Sequence, residues 1–323
     1  MRFPRGRAWA KWTAAVILMA VLALNTVACL HARAMTHWSS GGARTARPED
    51  LGWTQRAGVL LTGVSLPRPT DTGTPDALGL PFEAQRFVNA QGETLEAWHI
   101  PSDSHVLFLL FHGYGASKGS LLPVARALHE LGHPALLVDF HGSGGSSGRD
   151  TTLGVREALD VAAAVDFGRR LKPDSAIVLY GQSMGGAAVL RSVARHGTSA
   201  DALVLEATFD RLLTTVKNRF QAMNLPSTPF AHLIVFWGGL SSGIDGFDVN
   251  PVEDADKVTC PTLVLHGARD LRVSREEAES VYTRLRGWKR FSEFDHAGHG
   301  LVVLSDRPRW EAEIRLLASQ ATD

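Results

Sequence analysis

The chain has 323 residues, 45% hydrophobic and 20% charged, enough to bury the core of one large α/β domain and ordinary for a globular protein. Lys plus Arg and Asp plus Glu both number 33, so no whole-molecule field gathers nucleic acid, and no nucleic-acid partner is expected. The two cysteines, Cys29 and Cys260, lie far apart and offer neither a disulfide framework nor a Cys-x-x-Cys metal site.

Arg2, Arg5, Arg7 and Lys11 precede a charge-free stretch from Thr13 to Leu30, 18 residues long. A helix needs roughly 17–25 apolar residues to cross a bilayer, so residues 1–35 read as a single-pass membrane anchor. The basic flank stays in the cytoplasm, which puts the rest of the chain on the non-cytoplasmic side. A cleaved signal peptide is the alternative, with Ala32-Arg33-Ala34 as its cleavage site and a secreted product. A lipoprotein signal at Cys29 lacks the usual leucine in Thr26-Val27-Ala28-Cys29, and a transit peptide would be amphipathic. Residues 36–80, rich in Gly, Pro, Thr and Arg with weak periodicity, read as a linker.

Residues 81–323 read as one domain. Strands at 85–89 and 94–100 flank a Gln91-Gly92 turn and suggest an antiparallel hairpin. The run Val106-Leu107-Phe108-Leu109-Leu110-Phe111 has the pattern of a strand buried on both faces. Helices at 121–131, 153–171, 184–195, 275–285 and 308–318 then alternate with strands at 135–140, 176–180, 202–205, 262–265 and 291–294. Such alternation implies an α/β fold, a mostly parallel sheet with helices on both faces and the hairpin as its antiparallel edge. Residues 208–256 break the pattern with an apolar set including Phe220, Met223, Phe230, Phe236 and Trp237. They form either a small apolar cap over the site or two more helices packed on the sheet.

Ligands in such sheets bind beyond the C-terminal strand ends, which directs attention to the loops there. Gly181-Gln182-Ser183-Met184-Gly185 matches the Gly-x-Ser-x-Gly nucleophile elbow, with a strand before Ser183 and a helix after it. A second match, Gly144-Gly145-Ser146-Ser147-Gly148, sits in a Gly/Ser-rich loop with no immediate helix, so Ser183 is the candidate nucleophile. A serine hydroxyl needs a base, and the base needs a carboxylate to orient it. Asp270 follows the strand at 262–265, and His299 lies in Ala297-Gly298-His299-Gly300 after the last strand. The order Ser, Asp, His suits this architecture. His296 is the rival base and Asp295 a weaker rival acid. A His296–His299 metal pair lacks a His-Glu-x-x-His frame, and no metal is expected. The oxyanion donors expected are the backbone N–H groups of Met184 and of Tyr114, in His112-Gly113-Tyr114-Gly115. His112 itself reads as a support for that loop.

These motifs, with Asp139-Phe140-His141-Gly142-Ser143-Gly144, resemble the α/β-hydrolase superfamily over roughly residues 80–320. The set is most similar to the branch of monoacylglycerol lipases, serine aminopeptidases and small membrane-tethered bacterial hydrolases. The resemblance implies acyl transfer through an acyl-serine intermediate, without metal or organic cofactor. Substrate is left open because the fold hosts many chemistries. The leading expectation is a hydrolase of carboxylic esters or thioesters acting on a small, partly apolar acyl substrate. An aminopeptidase or cofactor-free perhydrolase with the same three residues is the second reading, and a catalytically silent tethered binding module the third.

Overall fold

Alternate residues of the central strands face opposite ways, and here both faces are apolar, so helices must cover both. The computed structural model describes residues 5–46 and 50–322; Arg2 of the basic flank lies outside them. The strands are β1 (Glu83–Val88), β2 (Thr94–Ile100), β3 (Val106–Phe111), β4 (Ala135–Val138), β5 (Ala176–Gln182), β6 (Ala202–Glu206), β7 (Thr262–Gly267) and β8 (Lys289–Phe294). They form one sheet in the order β1-β2-β4-β3-β5-β6-β7-β8. The β1–β2 and β2–β4 pairs are antiparallel and the remaining pairs parallel, as the strand–helix alternation implies.

The helices are α1 (Arg5–Thr36), α2 (Trp53–Thr62), α3 (Leu122–Glu130), α4 (Glu157–Leu171), α5 (Met184–His196), α6 (Leu212–Ala222), α7 (Phe230–Ser242), α8 (Pro251–Asp254), α9 (Arg275–Arg284) and α10 (Arg307–Gln320). On one face Phe108, Leu110, Val178 and Tyr180 pack against Leu128 of α3 and Trp310 and Ile314 of α10. On the other, Leu107, Leu109, Ile177 and Leu179 meet Val161 and Val165 of α4, Ala188 of α5 and Val281 of α9. Helix α4 starts at Glu157, later than the apolar spacing from residue 153 suggests. Leu153 has a positive φ of 57°, and the Glu157 carboxylate accepts from Thr151, Thr152 and the Gly154 N–H, which fastens this segment as a turn.

Helices α6 and α7 occupy the irregular 208–256 stretch and build a third apolar cluster rather than joining the two on the sheet faces. Val216, Phe220, Ile234 and Val235 pack there with Ala28 and Ala32 of α1. The same cluster takes in Ala187 and Val273, just beyond the C-terminal ends of β5 and β7. Helix α1 outruns the charge-free stretch by two turns at its C-terminal end. Its N-terminal part exposes Trp9, Trp12, Ile17, Met19 and Leu22, whereas Ala28, His31, Ala32 and Thr36 are buried in the domain.

The stretch read as a linker is laid along the domain. It contains α2, and its backbone bonds to loops of the body through Trp38 N–H to Arg149 O (3.0 Å) and Gly144 N–H to Pro69 O (3.0 Å). The Arg68 guanidinium donates to carbonyls of Ser146 and Gly148, and Asp71 accepts from the fully buried Lys118 ammonium at 2.6 Å. These tethers are polar, so a search for apolar periodicity passes over them. Asp71, Glu96 and Asp139 converge closely enough to hold a cation, but Lys118 Nζ already sits among them at 2.6, 3.0 and 2.5 Å. Its charge opposes a metal there, and the cluster is a buried ion network.

Candidate active site

The four loops that hold the candidate residues follow β3, β5, β7 and β8, all at one edge of the sheet. Ser183 stands between β5 and α5 with φ 52° and ψ −112°, a backbone conformation uncommon for a residue with a Cβ. That strained turn is the signature of an elbow that lifts a hydroxyl out of the sheet. The Ser183 N–H donates to Glu206 O at 2.8 Å, which fixes the turn to β6. Ser146, the rival match, is buried: its hydroxyl donates to Asp139 O (2.7 Å) and accepts from Glu96 N–H (2.9 Å). Its role is to brace a loop.

Asp270 and His299, 29 residues apart, meet through a 2.8 Å hydrogen bond between Asp270 Oδ2 and His299 Nδ1. Because a carboxylate only accepts, the imidazole proton sits on Nδ1 and the lone pair on Nε2. The Asp270 side chain is wholly buried, and Oδ1 accepts from the N–H groups of Arg272 (2.8 Å) and Val273 (3.1 Å). Burial alone would raise its pKa. The bond from His299 and the two backbone donors outweigh that and hold the carboxyl below its ordinary range, so it stays ionised. His296 is exposed, and its Nδ1 pairs with Arg269 at 3.0 Å; Asp295 is exposed as well.

The loop after β3 comes close to the elbow, since a Cβ built on Gly113 would lie 3.5 Å from Ser183 Cβ. His112 beneath it is fully buried, accepts from Phe140 N–H at 3.2 Å and donates through Nδ1 to Gly113 O at 2.9 Å. Burial lowers its pKa and keeps it neutral, which suits a support. Tyr114, half-buried, turns its hydroxyl to Met35 O of α1 (2.5 Å), while the Arg219 guanidinium lies over its ring.

Beside Tyr114 opens a cavity of about 170 Å³. Its walls come from α1 (His31, Met35), from α6 and α7 (Phe220, Phe230, Ile234) and from Leu271, next to Asp270. Arg44, Arg219 and Arg272 also line it, and no Asp or Glu does among the described residues.

One residue that motif reading passed over ties these loops together. Glu206 ends β6 fully buried; its Oε1 accepts Val302 N–H at 2.6 Å, just after His299, and its Oε2 accepts the Tyr180 hydroxyl. Its backbone holds Ser183 and its side chain holds the histidine loop. The available signal was an acid closing the apolar run Ala202-Leu203-Val204-Leu205. Burial pushes this carboxyl up to about 7. A carboxyl raised above its unfolded value of 4.5 lends stability that is complete below that pH and lost as pH climbs through 7. Glu206→Gln is therefore expected to gain on the parent in Tm between pH 4.5 and 7, checked by thermal melts across that range. A parent–variant difference that is constant with pH would refute this.

With the geometry in view, the likenesses to known proteins fall into place. The family model described as serine aminopeptidase, S33, matches residues 102–235. A lysophosphatidylserine lipase of Macaca fascicularis is 25% identical over 64% of this chain and 52% of its own length, so the chain spans about half of that relative. An uncharacterised membrane protein of Saccharomyces cerevisiae is 27% identical, over 72% of this chain and 78% of its own. An esterase of Pyrococcus furiosus superposes with a TM-score of 0.66 at 23% identity, covering 79% of this chain and 96% of the esterase. The sheet order, the turn at Ser183 and these likenesses agree: the chain has the α/β-hydrolase fold, and hydrolase activity is the class they support.

Proposed function

We propose that this protein is a membrane-tethered serine hydrolase that cleaves a carboxylic ester or thioester through an acyl-serine intermediate. The observation that carries the reading is the bond from His299 Nδ1 to the buried, ionised Asp270, at the same sheet edge as the strained turn at Ser183. In the first half-reaction Ser183 Oγ attacks the acyl carbon while His299 Nε2 takes its proton. Asp270 holds the imidazole in that tautomer and stabilises the imidazolium. The N–H groups of Met184 and Tyr114 receive the charge that develops on the carbonyl oxygen. His299 then returns the proton to the departing alkoxide or thiolate, and water repeats the sequence on the acyl-serine to release the acid.

The cavity beside Tyr114 is the acyl site in this reading, with three guanidinium groups around the polar end of the substrate. An aminopeptidase must hold a free ammonium group, and a wall that carries three arginines and no described carboxylate suits it poorly. The lysophosphatidylserine lipase among the relatives is consistent with an amphiphilic ester. Helix α1 is the tether. Its buried end supports retention over cleavage, because removal after Ala34 would take His31 out of the cavity wall and Ala28 and Ala32 out of the cap core.

The test is kcat/KM on p-nitrophenyl esters of increasing acyl length. Each methylene that enters the cavity is worth ~0.8 kcal/mol, so the rate constant is expected to rise about fourfold per carbon until the cavity is full. Absence of turnover above the uncatalysed rate would reject the hydrolase reading, and a flat profile would reject the acyl site.

A further inference from the structure

Helix α7 offers water no charged side chain, and its only polar ones are His232 near the start and Ser241 and Ser242 at the end. From Phe220 to Ile244 the chain carries no Asp, Glu, Lys or Arg. One side of α7 is buried through Ala231, Ile234, Val235 and Gly239, yet the other side exposes Phe236 and Leu240, at 49% and 61%. A helix this apolar on both sides belongs in a core or in lipid, and this one is only half in a core.

Its height along α1 says which. Trp237 Nε1 donates to Asn25 Oδ1 at 3.1 Å, and the ring of His31 meets that of Phe230 edge to face at 5.6 Å. Asn25 lies inside the charge-free stretch that ends at Leu30. At 1.5 Å per residue the contact is about 7.5 Å below the end of that stretch. A bilayer that covers the charge-free stretch of α1 therefore also covers the outer side of α7, at about the 5–10 Å depth to which interfacial helices bury their apolar side.

We infer that α7 is a second membrane-inserting element, lying in the leaflet beside α1 so that Phe236 and Leu240 contact lipid. This rests on the reading of α1 as a membrane anchor. It also sets the cavity against both inserted helices, since Phe230 and Ile234 of α7 and His31 and Met35 of α1 line it. An acyl chain reaches the site from the bilayer, without crossing water.

The experiment uses the full chain with Cys29→Ala and Cys260→Ser, in phosphatidylcholine vesicles that contain lipid with a nitroxide on the acyl chain. Single cysteines are introduced by Leu240→Cys, by Leu22→Cys on the exposed side of α1 and by Val88→Cys on the far edge strand, each labelled with an environment-sensitive fluorophore. The label at 240 is expected to be quenched several-fold more than that at 88 and comparably to that at 22. Quenching at 22 with none at 240 beyond the level at 88 overturns the inference and leaves the anchor standing. No quenching at either 22 or 240 overturns the anchor reading itself. Self-quenching at 240 that vanishes on dilution of protein in lipid would assign the patch to a second copy and equally overturn it.

Discussion

Ser183→Ala is expected to lower ester turnover by on the order of 10⁴–10⁶-fold, with the fold intact and a residual rate still above the uncatalysed one. The half-buried hydroxyl sits in a turn set by backbone bonds, so its loss removes the nucleophile without unmaking the elbow. That residual rate is assigned to the two proposed oxyanion donors, which are backbone groups and would survive the substitution. Fluorophosphonate labelling reads the same point by a different route: the label is lost in Ser183→Ala and kept in Ser146→Ala. Ser146→Ala instead breaks the hydroxyl's bonds to Asp139 O and Glu96 N–H, so its effect falls on Tm. Equal labelling of parent and Ser183→Ala protein would remove Ser183 from the mechanism.

Gly185→Ala is expected to abolish folded yield or to cost more than ~4 kcal/mol, the range reserved for named steric failures in a core. A Cβ at this position would lie 2.2 Å from Phe111 O and 2.8 Å from Phe111 C, the last residue of β3, and 3.0 Å from His112 O. These are backbone atoms of a central strand, locked by parallel ladders to β4 and β5, and no side-chain rotation relieves the overlap. Gly300→Ala serves as the reference: a Cβ there meets nothing within 4 Å, and stability should stay within ~0.5 kcal/mol of the parent. Denaturant titration of both variants decides the matter, and a Gly185→Ala protein as stable as the parent would contradict the close packing of elbow and strand. The comparison also separates two uses of glycine in the same motif region. At 185 the residue is required by contact distance, whereas next to His299 it leaves open space.

The central sheet was readable because its pattern is strong and local. Val106–Phe111 and Thr94–Ile100 have the expected bounds, since an unbroken apolar run and a hairpin turn each determine their own limits. That Ser183, Asp270 and His299 lie beyond strand ends was readable because each sits in a distinctive motif after an apolar run. The missing parts depend on partners distant in sequence. Helix α2 lies among residues whose composition suggests a linker, and nothing nearby reveals that Arg68 and Asp71 are held by groups 80 and 47 residues away. The cavity escaped for the same reason, being walled by α1, α6 and α7, which no local signal brings together. Glu206 looked like the polar end of a strand, and only the fold reveals that Val302 and Tyr180 need its oxygens.

Helix α1 runs unbroken for 32 residues, roughly 48 Å, with no Pro or Gly after residue 6 to bend it. Because its last turns are cemented into the body, α1 acting as the proposed anchor would be an axle and not a leash. The domain would rotate about the membrane normal but have no swivel with which to rise and search the aqueous phase. Under that proposal its encounters with substrate are confined to two dimensions, so turnover should scale with how densely esters populate the bilayer rather than with their concentration in bulk water.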